Sequence, residues 1–283
     1  GISYSFTAHA HDIYVDTSML AEKLCTSAFC VTISEYNRQL LDQRYGEELV
    51  ARLYVLHCGV DVNLFKPPNK RTPDPITIVT VAALEEKKGH RYLLEACKLV
   101  LQSGIDFQCA LIGDGPERSH LEAQVNELGL TDHVTLWGSQ PRSEVISLLH
   151  GADLRVLPSV SLDTGKQEGI PVALMEALAL ELPVVATDIS GISELVEHEK
   201  TGLLVPERDA KALADAIIHL IQNPELASEL GKNGREVILY EFNLEKNSKR
   251  LNELIIQTSK GGFAQMGLPP GNQMNTLGTE VER

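Results

Sequence analysis

Short apolar runs of strand length recur along the chain with helical patterns between them, and this alternation limits the fold more than any other feature of the sequence. The runs fall at residues 3–8, 29–33, 76–83, 108–112, 134–137, 153–157 and 184–186. Helical patterns occupy 35–45, with Ser34 placed as N-cap and Gly46 after the last turn, 90–102 before Gly104, and 119–128 before Gly129. Strands that alternate with helices in this rhythm build a parallel sheet covered by helices. At 283 residues with 43% hydrophobic content, the chain is longer than one usual domain and shorter than two full ones.

Prolines divide the chain. His57-Cys-Gly-Val-Asp61 leads into Phe65-Lys-Pro-Pro68 and then Pro73-Asp-Pro75, a stretch that cannot hold regular structure. Residues 59–75 therefore read as an interdomain linker. Residues 1–58 before it carry about two βα units and a short strand, too little for a closed sheet, so they read as the remnant of a first domain with an uncovered strand edge. Residues 76–241 read as a complete doubly wound domain, 242–258 as a returning helix, and 259–283 as a disordered tail. The chain opens on strand-like Gly1-Ile-Ser-Tyr-Ser-Phe6, which suggests upstream sequence.

Charge and cysteine usage narrow the function. The formal net charge of -14 lacks the basic footprint of nucleic-acid binding, so no nucleic-acid partner is expected. It also disfavours a polybasic lipid dock, leaving peripheral membrane contact to any missing N-terminal part. Glu176 and Glu181 interrupt the richest apolar stretch, so no bilayer-spanning segment is expected. An odd set of five cysteines without a C-x-x-C pair fits a reducing, cytoplasmic setting.

In an open parallel sheet, ligands bind beyond the carboxyl ends of the strands. The loops there are 85–89, 113–116, 138–139, 159–169 and 188–191, most with a glycine at the turn. The sharpest feature is Glu168-Gly-Ile-Pro-Val-Ala-Leu-Met-Glu176, two carboxylates on either side of a helix start, with Pro171 suited to the first turn. At about 1.5 Å per residue they stand roughly 12 Å apart. Free N–H groups of the helix tip lie between them, an anion site. A diphosphate flanked by two polyols, as in a nucleotide sugar, matches that arrangement in length and charge. The blander reading makes Glu176 a helix residue satisfied by protein and Glu168 a surface loop charge.

The stretch 168–180, with Pro183-Val-Val-Ala-Thr187, Gly191-Ile-Ser-Glu194 and Thr201-Gly-Leu-Leu-Val205, resembles the family-four (group 1) retaining glycosyltransferases of the GT-B fold, nearest to bacterial exopolysaccharide-type transferases. The likeness runs from about Phe6-Thr-Ala-His9 to the last helix. It implies a nucleotide-diphosphate sugar as donor, a saccharide or lipid-linked acceptor, no cofactor and no metal. At matching positions, Glu168 would hold the donor sugar, Glu176 the ribose hydroxyls and Lys88 the diphosphate. Gly113 and Gly115 would let backbone approach the nucleotide, the chain around Gly138 would meet the base, and His9 would approach the donor from the first domain. Gly169 and Ile170 complete the donor-binding set.

Two departures stand out. Many members of that family carry Arg where this chain has Ala83, so one diphosphate cation is missing, with Lys166 and Arg91 as candidate replacements. Glu181 stands where the family ends its helix with Gly, at a cost of about 1 kcal/mol if the backbone is left-handed there. Competing readings are an NAD-dependent oxidoreductase, a sugar-nucleotide epimerase or phosphorylase-like enzyme, a metal hydrolase built on His9-Ala-His11-Asp12, and a non-catalytic nucleotide-sugar-binding fragment. Gly113-Asp-Gly115-Pro-Glu-Arg118 lacks the third glycine of the dinucleotide fingerprint, which argues against the first.

Overall fold

The computed structural model describes residues 4–68 and 75–259, which divide into two compact units. The first takes in the chain through Leu56 together with the residues from Ser248 onward, and the second runs from His57 to Asn247. The disordered tail expected from 259 lies outside the described residues apart from Ser259, as does 69–74 of the expected linker.

In the first unit, β1 (Ser5–Ala8), α1 (Ala10–Tyr14), α2 (Leu20–Thr26), β2 (Phe29–Thr32), α3 (Glu35–Tyr45), α4 (Glu47–Val50) and β3 (Leu53–Val55) follow one another. The strands form a parallel sheet in the order β1-β2-β3. Ala8, Ile13, Leu24, Cys30 and Leu41 pack into its core. Helix α3 starts where the sequence places it, because the Ser34 hydroxyl accepts from the Asn37 amide at 3.1 Å.

The second unit continues with β4 (Ile76–Val81), α5 (His90–Gln102), β5 (Phe107–Ile112), α6 (Arg118–Glu127), β6 (Val134–Gly138), α7 (Arg142–His150), β7 (Leu154–Leu157) and α8 (Val172–Ala179). Then come β8 (Val184–Thr187), α9 (Ile192–Leu195), β9 (Leu203–Val205), α10 (Ala210–Gln222), α11 (Pro224–Tyr240) and α12 (Leu244–Ser259), the last shared between the units. Six parallel strands stand in the order β6-β5-β4-β7-β8-β9. Side chains alternate across this sheet: Val79, Val184 and Ala186 enter one core with α8, while Ile78 and Val185 enter another with α5 and α10. Both faces are covered, which is why these strands read as continuous apolar runs.

The segment expected to be a linker is built into the second unit along its described part. Val60 pairs with Asn243 in a parallel bridge, its amide donating to Phe242 O at 2.9 Å. Phe65 is fully buried beside Val79, Leu178 and Phe242. Prolines prevent regular structure here but not packing, and burial of an aromatic ring anchors the segment. The compact unit therefore starts at His57 rather than 76, and it includes the first turn of α12 through Asn247, whose side-chain amide donates to His57 O and Glu241 O at 3.0 and 2.7 Å.

Candidate active site

Strands β5 and β6 leave β4 on one side and β7 continues on the other, so the chain reverses its winding between β4 and β7. The crevice beyond the carboxyl ends of these two strands is where a ligand of such a sheet binds. Two loops close over it, 82–89 after β4 and 158–171 after β7, and main-chain atoms join them. The Val160 amide donates to Lys87 O at 2.8 Å, and a Cβ at Gly89 (φ +66°) would stand 1.8 Å from Pro158 O. Only glycine allows that approach.

Lys88 ends a short 3-10 turn, Glu86–Lys88, and the joined loops aim it at Glu168. The Lys88 ammonium and the Glu168 carboxylate form an ion pair, their side chains only 16% and 10% exposed. Ser159 Oγ donates to the same carboxylate oxygen at 3.2 Å, and Thr187 Oγ1 donates to Ser159 O at 2.6 Å. Glu168 is thus a buried, partnered acid and not a loosely solvated loop charge. The loop's outer part is tied to the turn before α10, where Glu207 accepts from the Ser161 amide at 2.7 Å and Arg208 donates to Ser161 O.

Gly169 and Ile170 follow, both buried, and Pro171 is the N-cap of α8. The amides of Leu174 and Met175 turn back onto Pro171 O at 3.0 and 3.3 Å. Glu176 lies within α8, half-buried, and among the described residues its carboxylate makes no hydrogen bond or ion pair. Burial raises its carboxyl above the ordinary carboxylate range, while the Arg142 and Arg155 charges oppose that rise. A carboxylate held in this state is ready to accept from hydroxyls that a ligand brings.

Gly113 and Gly115 have a reason in the protein itself. A Cβ at Gly113 (φ +143°) would meet Ala82 O at 2.0 Å, and one at Gly115 would meet Leu84 O at 2.5 Å. The loop after β5 lies directly on the loop after β4, and a ligand is not required to explain these glycines. The Gly113 amide donates to Gly138 O at 2.9 Å, and Arg118 packs beside Gly138 while its guanidinium reaches Leu136 O at 3.3 Å. His9 belongs to the first unit. It stands exposed at the end of β1, where its amide donates to Asp12 at 2.9 Å.

Neither candidate replacement for the missing cation reaches this cluster. Arg91 is exposed over the Tyr92 ring, 5.2 Å from its centroid, and Lys166 is exposed in the 158–171 loop. Two buried groups that sequence reading left without a role stand there instead. His90 Nε2 donates to Ala83 O at 3.1 Å, and burial, followed by the Arg155 and Lys88 charges, lowers the imidazole to about 4. Arg155 is wholly buried in β7. Its sequence signal was a charge inside the apolar run Leu154-Arg-Val-Leu157. Among the described residues no group of three or more His, Cys, Asp or Glu is arranged to hold a metal ion, and no helix is long and apolar enough to cross a membrane.

Fold and cleft together define a GT-B type of α/β protein. The family model for glycosyl transferases group 1 matches residues 61–237, and the chain belongs to that family. A putative colanic acid biosynthesis glycosyltransferase of Escherichia coli is 41% identical over 207 residues, covering 72% of this chain and 51% of that protein. An amylovoran biosynthesis glycosyltransferase of Erwinia amylovora is 40% identical over 181 residues, 64% of this chain and 44% of its own length. The chain thus spans about half the length of these curated relatives. Among solved structures, sucrose-phosphate synthase from Thermosynechococcus elongatus superposes with a TM-score of 0.78 at 25% identity, covering 92% of this chain and 69% of that one. An Anabaena protein, HepE, solved in complex with UDP, gives a TM-score of 0.75 at 21% identity over 89% of this chain and 72% of its own, a likeness of fold.

Proposed function

We propose that the protein transfers a sugar, with retention of anomeric configuration, from a nucleotide-diphosphate sugar to a saccharide or lipid-linked acceptor. The observation that carries this reading is the pairing of Lys88 with Glu168 at one side of the α8 tip and the unpartnered Glu176 at the other. On donor binding, Lys88 turns to the diphosphate, whose negative charge grows as the bond from the anomeric carbon to the phosphate oxygen breaks. Glu168, released from its cation, accepts from sugar hydroxyls, and Glu176 accepts from the ribose. The first-turn N–H groups of α8 face the anion. The acceptor oxygen bonds to the anomeric carbon, and its proton passes to the departing phosphate oxygen on the same face. No covalent protein nucleophile, cofactor or metal is required. Gly113, Gly115 and the chain at Gly138 would border the nucleotide, while the role of His9 rests on the sequence resemblance alone.

Five free thiols, with Cys97 and Cys109 in side-chain contact yet unpaired, support a reducing compartment and so a cytoplasmic site of action. A calorimetric panel of UDP-, GDP- and ADP-sugars, followed by NMR of any glycosylated product, tests the reading. Binding that the Lys88→Ala and Glu176→Gln changes abolish is expected. A product of inverted configuration, or full-strength donor binding by both variants, would contradict it.

A further inference from the structure

Lys88 and Glu168 satisfy each other before any ligand arrives, and this sets what a ligand must bring. Two protein donors converge on one carboxylate oxygen: Lys88 Nζ and Ser159 Oγ each donate to Glu168 Oε2, the latter at 3.2 Å. Among the described residues no donor reaches Glu168 Oε1, and no second cation lies within ion-pair distance of the carboxylate. The surrounding frame is fixed. Ser159 is fully buried, Thr187 Oγ1 donates to Ser159 O at 2.6 Å, and the Val160 amide fastens the same loop to Lys87 O at 2.8 Å.

A nucleoside diphosphate must compete with Glu168 for the Lys88 ammonium. Arg91 and Lys166 are exposed and outside the cluster, so the lysine that would meet the diphosphate is one the protein already uses. Once the ligand takes Lys88, the buried carboxylate is left with a single hydroxyl donor, and a buried charge stripped of its ionic partner is costly. A ligand that carries a sugar replaces what it removes, because its hydroxyls can donate to Glu168. A nucleoside diphosphate without a sugar replaces nothing. The cost of opening the pair therefore falls unequally on the two ligands.

We propose that the Lys88–Glu168 ion pair is an internal competitor of the diphosphate, by which the site favours a nucleotide that bears a sugar over the same nucleotide without one. Ser159 is the positioning residue that holds Glu168 while its cation is away. After transfer the sugar and its hydroxyls are gone, Glu168 reclaims Lys88, and the spent nucleoside diphosphate is released. The inference rests on the donor reading of Lys88 and Glu168 and adds to it a means of product release.

The test is a set of calorimetric titrations of the full chain with whichever of UDP-glucose, GDP-mannose and ADP-glucose binds most tightly, and with the corresponding nucleoside diphosphate. Glu168→Gln frees Lys88 from its competing charge, so the nucleoside diphosphate should bind about tenfold more tightly while the nucleotide sugar binds no more tightly than before. Ser159→Ala leaves Glu168 bare once Lys88 departs, so it should weaken the nucleoside diphosphate about tenfold and the nucleotide sugar by less than about threefold. In the Glu168→Gln background, Ser159→Ala should alter nucleoside diphosphate binding by less than about twofold, because no charge is left to orphan. A merely structural role for these residues would move both ligands by one factor in each variant. Such equal shifts, or a nucleoside diphosphate that binds the Glu168→Gln variant no more tightly than the unmutated chain, would overturn the proposal while the donor site stands. No binding of any of the three nucleotide sugars, or full-strength binding by Lys88→Ala, would instead defeat the donor reading. Should Glu168→Gln fail to fold, the two losses in Ser159→Ala decide alone, and equal losses refute the proposal.

Discussion

Replacing Lys88 by Met isolates the Glu168 carboxylate inside the joined loops. Two unit charges near 4 Å attract by about 4 kcal/mol at an effective dielectric constant of ~20. That gain is offset by the desolvation of Lys88, which the variant avoids, and Ser159 Oγ still donates to the carboxylate at 3.2 Å. A net destabilisation of about 2–4 kcal/mol is therefore expected, at the lower end of what breaking a buried pair costs. For a unit of this size each kcal/mol corresponds to roughly 2–4 °C, so the melting temperature should fall by about 4–16 °C. The chain holds a single tryptophan, Trp137, at the end of β6 in the second unit, and its fluorescence reports the unfolding of that unit directly. Glu168→Gln in the same chain should recover most of the loss, since the orphaned charge is gone. An unchanged melting curve for Lys88→Met, or a double variant that loses the sum of both single changes, would show that the pair does not hold the loops.

Glu176→Gln should raise the melting temperature of the ligand-free protein at neutral pH. The folded carboxyl lies above its ordinary value, so stability falls as pH rises from about 4.5 toward the raised value, and the gain from Gln should vanish at the acid end of that window. His90 has the opposite sense. Its folded value near 4 lies below the ordinary 6.5, so its contribution is complete above 6.5 and is lost as pH falls toward 4, by about 3 kcal/mol in all. His90→Gln should flatten that loss in urea unfolding midpoints measured across the window. Glu181 has φ +58°, the left-handed conformation expected from its place after α8, and Arg235 donates to Ala179 O beside it. Glu181→Gly should stabilise by about 0.5–1 kcal/mol in the same urea assay, and a destabilised variant would show that the Glu181 carboxylate, 3.9 Å from Arg235, matters more than the strain.

The parts of the fold visible in the sequence were those that local chemistry determines. Helices α3, α5 and α6 lie within one residue of the limits set by Ser34, Gly46, Gly104 and Gly129, because caps and φ > 0 turns act within a few residues. Strand β3 is expected only as a short strand without limits and β9 not at all, since a run of three residues has no period to read. Residues 59–75 read as a linker because proline content says where regular structure stops, whereas the burial of Phe65 depends on α8 and on Phe242, far along the chain. At the site, the two acids were legible from their spacing around a helix start. The ion pair joins residues 80 apart, and the role of Ser159 as donor to Glu168 follows only from strand order. Gly113 and Gly115 were legible as close-approach positions, while the partner in that approach, the backbone at Ala82 and Leu84, was not.

The stitch between the two crevice loops is made by main-chain atoms, from Val160 N to Lys87 O and from Gly89 against Pro158 O. Its geometry is therefore indifferent to most side-chain changes at the part-exposed Lys87, whereas Val160 is buried and is held by packing as well. Mutational drift at position 87 can change the charge on the outer side of the seam while Lys88 and Glu168 stay paired. Position 89 has no such latitude, and a single methyl group there would part the seam.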